Sequence, residues 1–169
     1  MILNDYFNPV SLDKPGYNLI SEDHEFSRSV RIHTPDTPIE NLNEIDIAIA
    51  GVPEEKNAYL KGVSGAADSI RQKLYQLSYN DKKVKVADFG NLKITDNQND
   101  SYFALRDIFL ELMENNVILI IIGGGQDLTY GLTEAYRNFE GFWNLTTIDA
   151  RLDFNFPREK INSRNYLDS

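Results

Sequence analysis

Cysteine is absent, and histidine occurs only at His24 and His33. The first absence excludes disulfides, thiolate nucleophiles and cysteine-based zinc sites. Both histidines fall in an irregular N-terminal stretch, where exposure is the expected state, and no catalytic role is assigned to them. Positive charge is scarce: 17 Lys and Arg stand against 26 Asp and Glu, a net charge of -9. An acidic surface repels phosphates, so neither nucleic acid nor an anionic membrane is an expected partner. Long apolar runs are missing too. The longest, Val117 to Ile122, is far too short to cross a bilayer. The opening MILNDYFNPV carries Asp5 and has neither the basic start nor the apolar stretch of a secretory signal. A cytoplasmic protein is the expectation.

What is present suits one domain with a real core, since 169 residues suffice for that. Residues 1–44 hold Pro9, Pro15, Pro35 and Pro38 without a clean apolar period. They read as an extended arm, with one short helix near Glu22 to Ser29. From Ile45 the pattern becomes regular, and residues 45–169 read as the α/β domain. IDIAIAGV, KVKVADFGNL, VILIIIGG and FWNLTTIDA read as four strands, the third apolar on both faces like a central parallel strand. Between them lie three helical patterns. In the first, Ile70, Leu74 and Leu77 share a stripe and Ser64 is the expected N-cap. In the second, Asp100 or Ser101 is the cap, and Leu105, Phe109 and Leu112 share a face. The third is LTYGLTEAYRNF. Alternating strands and helices imply a three-layer α/β/α fold with a mainly parallel sheet, covered on both faces. The tail, NFPREKINSRNYLDS, is polar and adds no closing element.

Candidate chemistry lies at the carboxyl ends of these strands, the edge where open α/β sheets bind ligands. In IIIGGGQDLTYG an apolar strand meets a glycine turn and a helix start. Gly124, Gly125 and Asp127 mark the pocket edge. Phosphate binding is weakly indicated, because G-K-[ST] and G-x-G-x-x-G are both lacking. Asp127 fits better as a helix N-cap. In TIDARLD, Asp149 and Asp153 stand at i and i+4 with Arg151 between them. Such carboxylates bind a divalent metal or orient a base. Equally, Asp149 turns the chain and Arg151 is a surface residue. Asp88 reads as lining the same edge, or as a turn residue bonding nearby amides.

The order of these motifs resembles the ureohydrolase family, which includes arginase, agmatinase and formimidoylglutamase. The stretch from Ile47 to Leu77 resembles its opening strand, G-V-P loop and helix with an I-R pair, here Ile70 and Arg71. VADFGNL resembles the strand bearing D-x-G, IIIGGGQDLTYG the G-G-D-H-S turn, and TIDARLD the D-A-H-x-D motif. The resemblance runs over residues 45–153 and implies the arginase-like fold. In active members it implies a manganese pair activating water against a guanidinium or formimino carbon.

The departures fall at the metal ligands. Gln126 and Arg151 stand where the two motifs carry histidine, and only Asp149 and Asp153 match ligand positions. A later D-x-D motif is lacking, so the resemblance covers only an N-terminal portion of the family's length. Glutamine offers a neutral oxygen, a poor substitute for imidazole. Arginine has no lone pair to give and repels a cation. At 4 Å and an effective dielectric near 20, each unit-charge pair costs about 4 kcal/mol. Arg151 is therefore expected to supply the positive charge that manganese supplies in active relatives. Three readings follow: an arginase-like protein with a degenerate site and no activity as this chain; a manganese-dependent hydrolase of a guanidino or formimino compound when longer; or a binding or assembly module. A small guanidino or formimino ligand and a homo-oligomer are the partners to be considered. In the family's sheet the strands bearing G-G-D-H-S and D-A-H-x-D are not neighbours. A chain keeping that topology therefore leaves a gap: those strands pair directly, a second chain fills it, or the sequence is a truncated piece of a longer one.

Overall fold

A computed structural model of the chain describes residues 3–14, 17, 25–79, 83–137, 141–150, 153–154 and 160–168. Five strands form one sheet: β1 (Phe7–Asn8), β2 (Arg31–Ile32), β3 (Ile47–Gly51), β4 (Val86–Leu92) and β5 (Ile118–Ile122). Their order is β1-β4-β3-β5, and β2 pairs with β4. The β2–β4, β3–β4 and β3–β5 pairs are parallel; β1 alone is antiparallel, adding Phe7 and Asn8 against Leu92 and Asn91. The proline-containing arm thus supplies sheet edge and core, including the buried Leu3, Phe7 and Ile39.

Among the described residues four helices flank the sheet: α1 (Phe26–Ser29), α2 (Ala66–Leu74), α3 (Gln98–Glu114) and α4 (Thr129–Ala135). Alternation along the strands divides the core in two. Ala48, Ala50, Val52, Ala87 and Phe89 meet Leu105, Ile108 and Leu112 of α3. On the other face Ile49 and Val86 join Phe26 and Tyr75. This is the expected three-layer α/β/α fold. Helix α3 forms because Tyr102, Leu105, Ile108 and Leu112 recur on one face and are buried. It ends as Asn116 takes φ 57°, a left-handed stop that asparagine tolerates better than most residues.

Helix α2 is fixed to the sheet by charge rather than by grease. Arg71 and Asp88 are both fully buried, and Arg71 Nε and Nη2 donate to the two oxygens of Asp88 at 2.8 and 3.0 Å. Arg71 Nη1 also donates to Asn91 Oδ1 at 2.5 Å, and Nη2 to the carbonyl of Gly90 at 2.7 Å. Asp88 accepts further bonds from the Tyr75 hydroxyl and the Gly90 amide. Burial disfavours the charged guanidinium, yet Asp88 outweighs that and holds its pKa raised. The helix approaches closely: a Cβ on Gly51 would meet Ala67 Cβ at 2.8 Å and Arg71 Nη1 at 2.9 Å. Asp68 extends the network to Lys14 in the arm, at 3.2 Å.

Several expectations are corrected. The FWNLTTIDA segment is not a strand: residues 142–149 are irregular and exposed, because no described strand lies beside them. Direct pairing of the third and fourth expected strands is therefore not found. The apolar run of β5 lies at a sheet edge, not at its centre. On α2 the buried face is Ala67, Arg71 and Tyr75, whereas Ile70 and Leu77 are 48% and 58% exposed. Ser64 belongs to a 3-10 turn (Val63–Gly65), and Gly65 holds the cap position. Helix α3 starts earlier than expected, with Asn97 as its cap accepting from the Asn99 amide. His33 is buried, its Nδ1 2.9 Å from the carbonyl of Phe89. His24 lies outside the described residues.

Removing one member of the buried pair strands the other. Asp88→Ala is expected to lower the unfolding free energy by about 3–5 kcal/mol, measured by urea denaturation. Arg71→Met with Asp88→Leu should recover a large part of that loss, because the uncompensated charge is then gone as well.

Candidate functional site

The turn after β5 is set by its glycines. Gly123 and Gly124 have φ of 84° and 82°, values that side chains rarely allow. A Cβ on Gly124 would also meet Leu128 Cδ1 at 2.2 Å and the Val52 carbonyl oxygen at 2.9 Å. The Gly125 amide donates to the carbonyl of Glu54 at 3.1 Å, which stitches this turn to the loop after β3. A 3-10 turn (Gln126–Leu128) then leads into α4.

Asp127 is not the expected N-cap. It is buried and accepts from the Tyr102 hydroxyl at 2.7 Å, Gln98 Nε2 at 2.9 Å and the Ser163 hydroxyl at 3.0 Å. Burial raises the pKa of the Tyr102 phenol, and its hydrogen bond to the Asp127 carboxylate raises it further. Beside it, Asn57 Nδ2 donates to the Ile161 carbonyl at 2.5 Å and to Tyr102 at 3.3 Å, while the Ser163 amide donates to the Asn57 carbonyl at 3.2 Å. Arg164 lies 4.0 Å over the ring of Tyr59. Residues 160–168 of the tail, which was expected to add no closing element, therefore lie against this edge and include a 3-10 turn (Tyr166–Asp168).

The sequence-marked carboxylates lie at the same edge. Gln126 and Asp149 are both exposed, and Gln126 Nε2 donates to Asp149 Oδ2. Asp153 is buried, as is Tyr166. The Tyr166 phenol is pushed up by burial first, then by the carboxylates of Asp153 and Asp149. Gln126, Asp149, Asp153 and Tyr166 are thus one neighbourhood. Arg151 lies outside the described residues, so its expected ion pair with Asp149 or Asp153 is not described. Asp88 lies elsewhere, taken up by Arg71. Sequence reading missed Tyr102, Gln98, Asn57, Ser163 and Tyr166. The signal available for Tyr102 and Gln98 was their i, i+4 spacing on the face of α3 that meets the turn.

No group of three His, Asp or Glu suited to a metal occurs among the described residues. Gln126 presents an N–H to Asp149 Oδ2.

A sequence profile of the arginase family matches residues 45–165, and the chain belongs to that family. No match is found among curated proteins by sequence. Among solved structures the chain is similar to a formiminoglutamase from Trypanosoma cruzi solved with manganese. The TM-score is 0.69 at 19% identity, over 77% of this chain and 48% of that one. It is also similar to a hypothetical agmatinase from Burkholderia thailandensis, with TM-score 0.67 and 17% identity, over 86% and 48%. An agmatine ureohydrolase of Thermoplasma volcanium gives TM-score 0.64 and 22% identity, over 76% and 46%. The chain therefore spans about half the length of these relatives, and at such identities they show the fold alone. No described helix is long and apolar enough to cross a membrane.

Tyr102→Phe takes a donor from a buried carboxylate. The expected cost is about 1.5–3 kcal/mol in urea unfolding at neutral pH. A raised phenol stays protonated in the fold after an unfolded phenol, ordinarily at 10.0, has ionised. Its contribution is therefore full below about pH 10 and falls as pH rises. Phenolate absorbance from the buried tyrosines should appear together with loss of far-ultraviolet circular dichroism. Tyr17, pushed up to about 12 by burial and then by Asp68, is expected to follow the same course.

Proposed function

We propose that this chain is an arginase-family protein with a degenerate metal site and no ureohydrolase activity of its own. The observation carrying this reading is the Gln126–Asp149 hydrogen bond. A side-chain amide occupies a position where a ligating imidazole is expected, and its N–H takes a carboxylate oxygen matching a ligand position. The substitution of Arg151 at the second histidine position supports the same reading, since a permanent cation there opposes a metal. Under it, charge balance at Asp149 and Asp153 comes from protein groups.

What this chain's residues do chemically is then to hold shape. Gly123 and Gly124 set the turn, Asp127 anchors it, and Gln126 spans to Asp149. The pocket edge keeps polar groups able to meet a guanidino or formimino compound, the class the relatives' names suggest. A second reading, as a manganese-dependent hydrolase of linear amidines, is favoured by the manganese-bound formiminoglutamase of the same fold. It requires ligands beyond Asp149 and Asp153.

Calorimetric titration of the chain with Mn²⁺ separates the two. The expected result is no stoichiometric uptake, and no urea, ammonia or formamide from arginine, agmatine or formiminoglutamate. Tight binding of one or two equivalents of Mn²⁺ defeats the proposal. Gln126→His with Arg151→His is expected to gain little metal affinity, because two histidines and two aspartates still leave the later D-x-D ligands missing.

A further inference from the structure

Basic residues are the minority in this chain, 17 Lys and Arg against 26 Asp and Glu. In one place that ratio is reversed. A cavity of about 460 Å³ is lined by Arg28, Arg31, Glu44, Tyr79, Val84 and Lys85, among others. Among the described residues that line it, three are cations and Glu44 is the one carboxylate. A positive surplus in a protein of net charge -9 is a local feature, not a sample of the surface. The cavity also lies away from the Gln126–Asp149 edge. Val86, at the start of β4, pairs with Ile47, and Ile47 pairs with Ile118 at the start of β5. The glycine turn follows the opposite end of β5.

The fold sets each cation in place. Arg31 lies in β2, opposite Ala87 of β4. Lys85 is fixed through its backbone amide, which donates to Asp46 Oδ2 at 2.7 Å, and Asp46 does not line the cavity. Arg28 sits on α1, which closes as the Val30 amide donates to the Phe26 carbonyl at 3.0 Å. Arg31 Nη2 donates to Glu44 Oε2 at 2.8 Å, and both side chains are half-exposed. A pair so exposed contributes little and gives way readily to a competing anion. It also occupies only one N–H of the guanidinium, whose fork suits phosphate oxygens. Much of the remaining lining is apolar and rigid. The Tyr79 hydroxyl donates to the Val84 carbonyl at 3.0 Å, and its ring stands at 81° to that of Phe26, with centroids 5.3 Å apart. Two independent contacts thus fix the Tyr79 ring beside Val84.

We propose that this cavity binds a phosphate monoester carried on a flat ring, the chemistry of a mononucleotide. The surplus of positive charge answers a phosphate near two negative charges at neutral pH. Arg28 and Arg31 supply directional donors, Lys85 a point charge, and Tyr79 an aromatic surface for the ring. The volume falls in the ordinary range for small-ligand sites. A nucleic acid fits less well, because its further phosphates meet the acidic surface beyond the cavity. This inference does not depend on the metal reading.

The test is calorimetric titration of the 169-residue chain with adenosine monophosphate at low ionic strength. One-to-one binding is expected, weakening as salt is added. Adenosine lacks the phosphate and ribose 5-phosphate lacks the flat ring, so each is expected to bind about tenfold more weakly or worse. Arg31→Gln should lower the affinity for adenosine monophosphate by a similar factor. Arg137→Gln removes the same charge from a residue that does not line this cavity and should leave the affinity unchanged. Lys85→Gln supplies the same comparison if circular dichroism shows that Arg31→Gln folds poorly. The proposal is overturned by absence of binding, by adenosine or ribose 5-phosphate binding as tightly as adenosine monophosphate, or by an equal loss in Arg137→Gln, which would mark net charge alone.

Discussion

The carboxylate of Asp127 is the point on which the site edge depends. A buried carboxylate is costly unless its oxygens are satisfied by donors. Here the donors come from separate parts of the chain: Tyr102 and Gln98 from α3, and Ser163 from the tail. Asn57, from the loop after β3, ties Tyr102 and Ser163 together. No one of these segments can leave without stranding polar groups in the others. That mutual requirement places the glycine turn, and through it fixes where Gln126 begins its reach to Asp149. The Arg71–Asp88 pair serves the same purpose one layer away, seating α2 on β4. Polar pairing in both places determines which face each helix presents.

This explains why the sequence was legible in some places and not in others. Strands β3 and β4 were readable because they are buried on both faces and their apolar runs say so. Helix α3 was readable because Leu105 and Leu112 repeat on its packed side. The stripe on α2 misled, because apolar periodicity presumes that the apolar side is the one buried. At α2 a fully buried arginine took that place, and Ile70 was left outside. Capping failed for a related reason. Ser64 and Asp127 have the right chemistry at about the right position, but local side chains compete with tertiary partners. Asp127 found three such partners. Only pairwise proximity across 36 residues, as between Asp127 and Ser163, would have revealed this, and one sequence does not contain it.

The motif resemblance correctly indicated the family. Its individual residues needed the geometry. Asp149 and Asp153 read as equivalent members of one D-x-x-x-D pair, yet one is exposed and the other buried. Their environments differ accordingly: Asp149 meets an exposed amide, and Asp153 raises the phenol of a buried tyrosine. A glutamine amide satisfies a carboxylate oxygen with a neutral donor and so leaves the local charge negative. A metal would cancel that charge.

The strand edge and the site are linked by geometry. The glycine turn is the direct continuation of β5, so the register of β5 against β3 fixes where Gly123, Gly124 and Gln126 begin. Residues 142–150, which deliver Asp149, are irregular and exposed. An exposed, irregular segment allows a carboxylate many positions, whereas a strand with neighbours on both sides fixes its direction. Gln126 reaches Asp149 at the surface, and Asp153 is buried a few residues on. The glycine turn is therefore placed by the pairing of β5 with β3 before any single side chain at this edge acts.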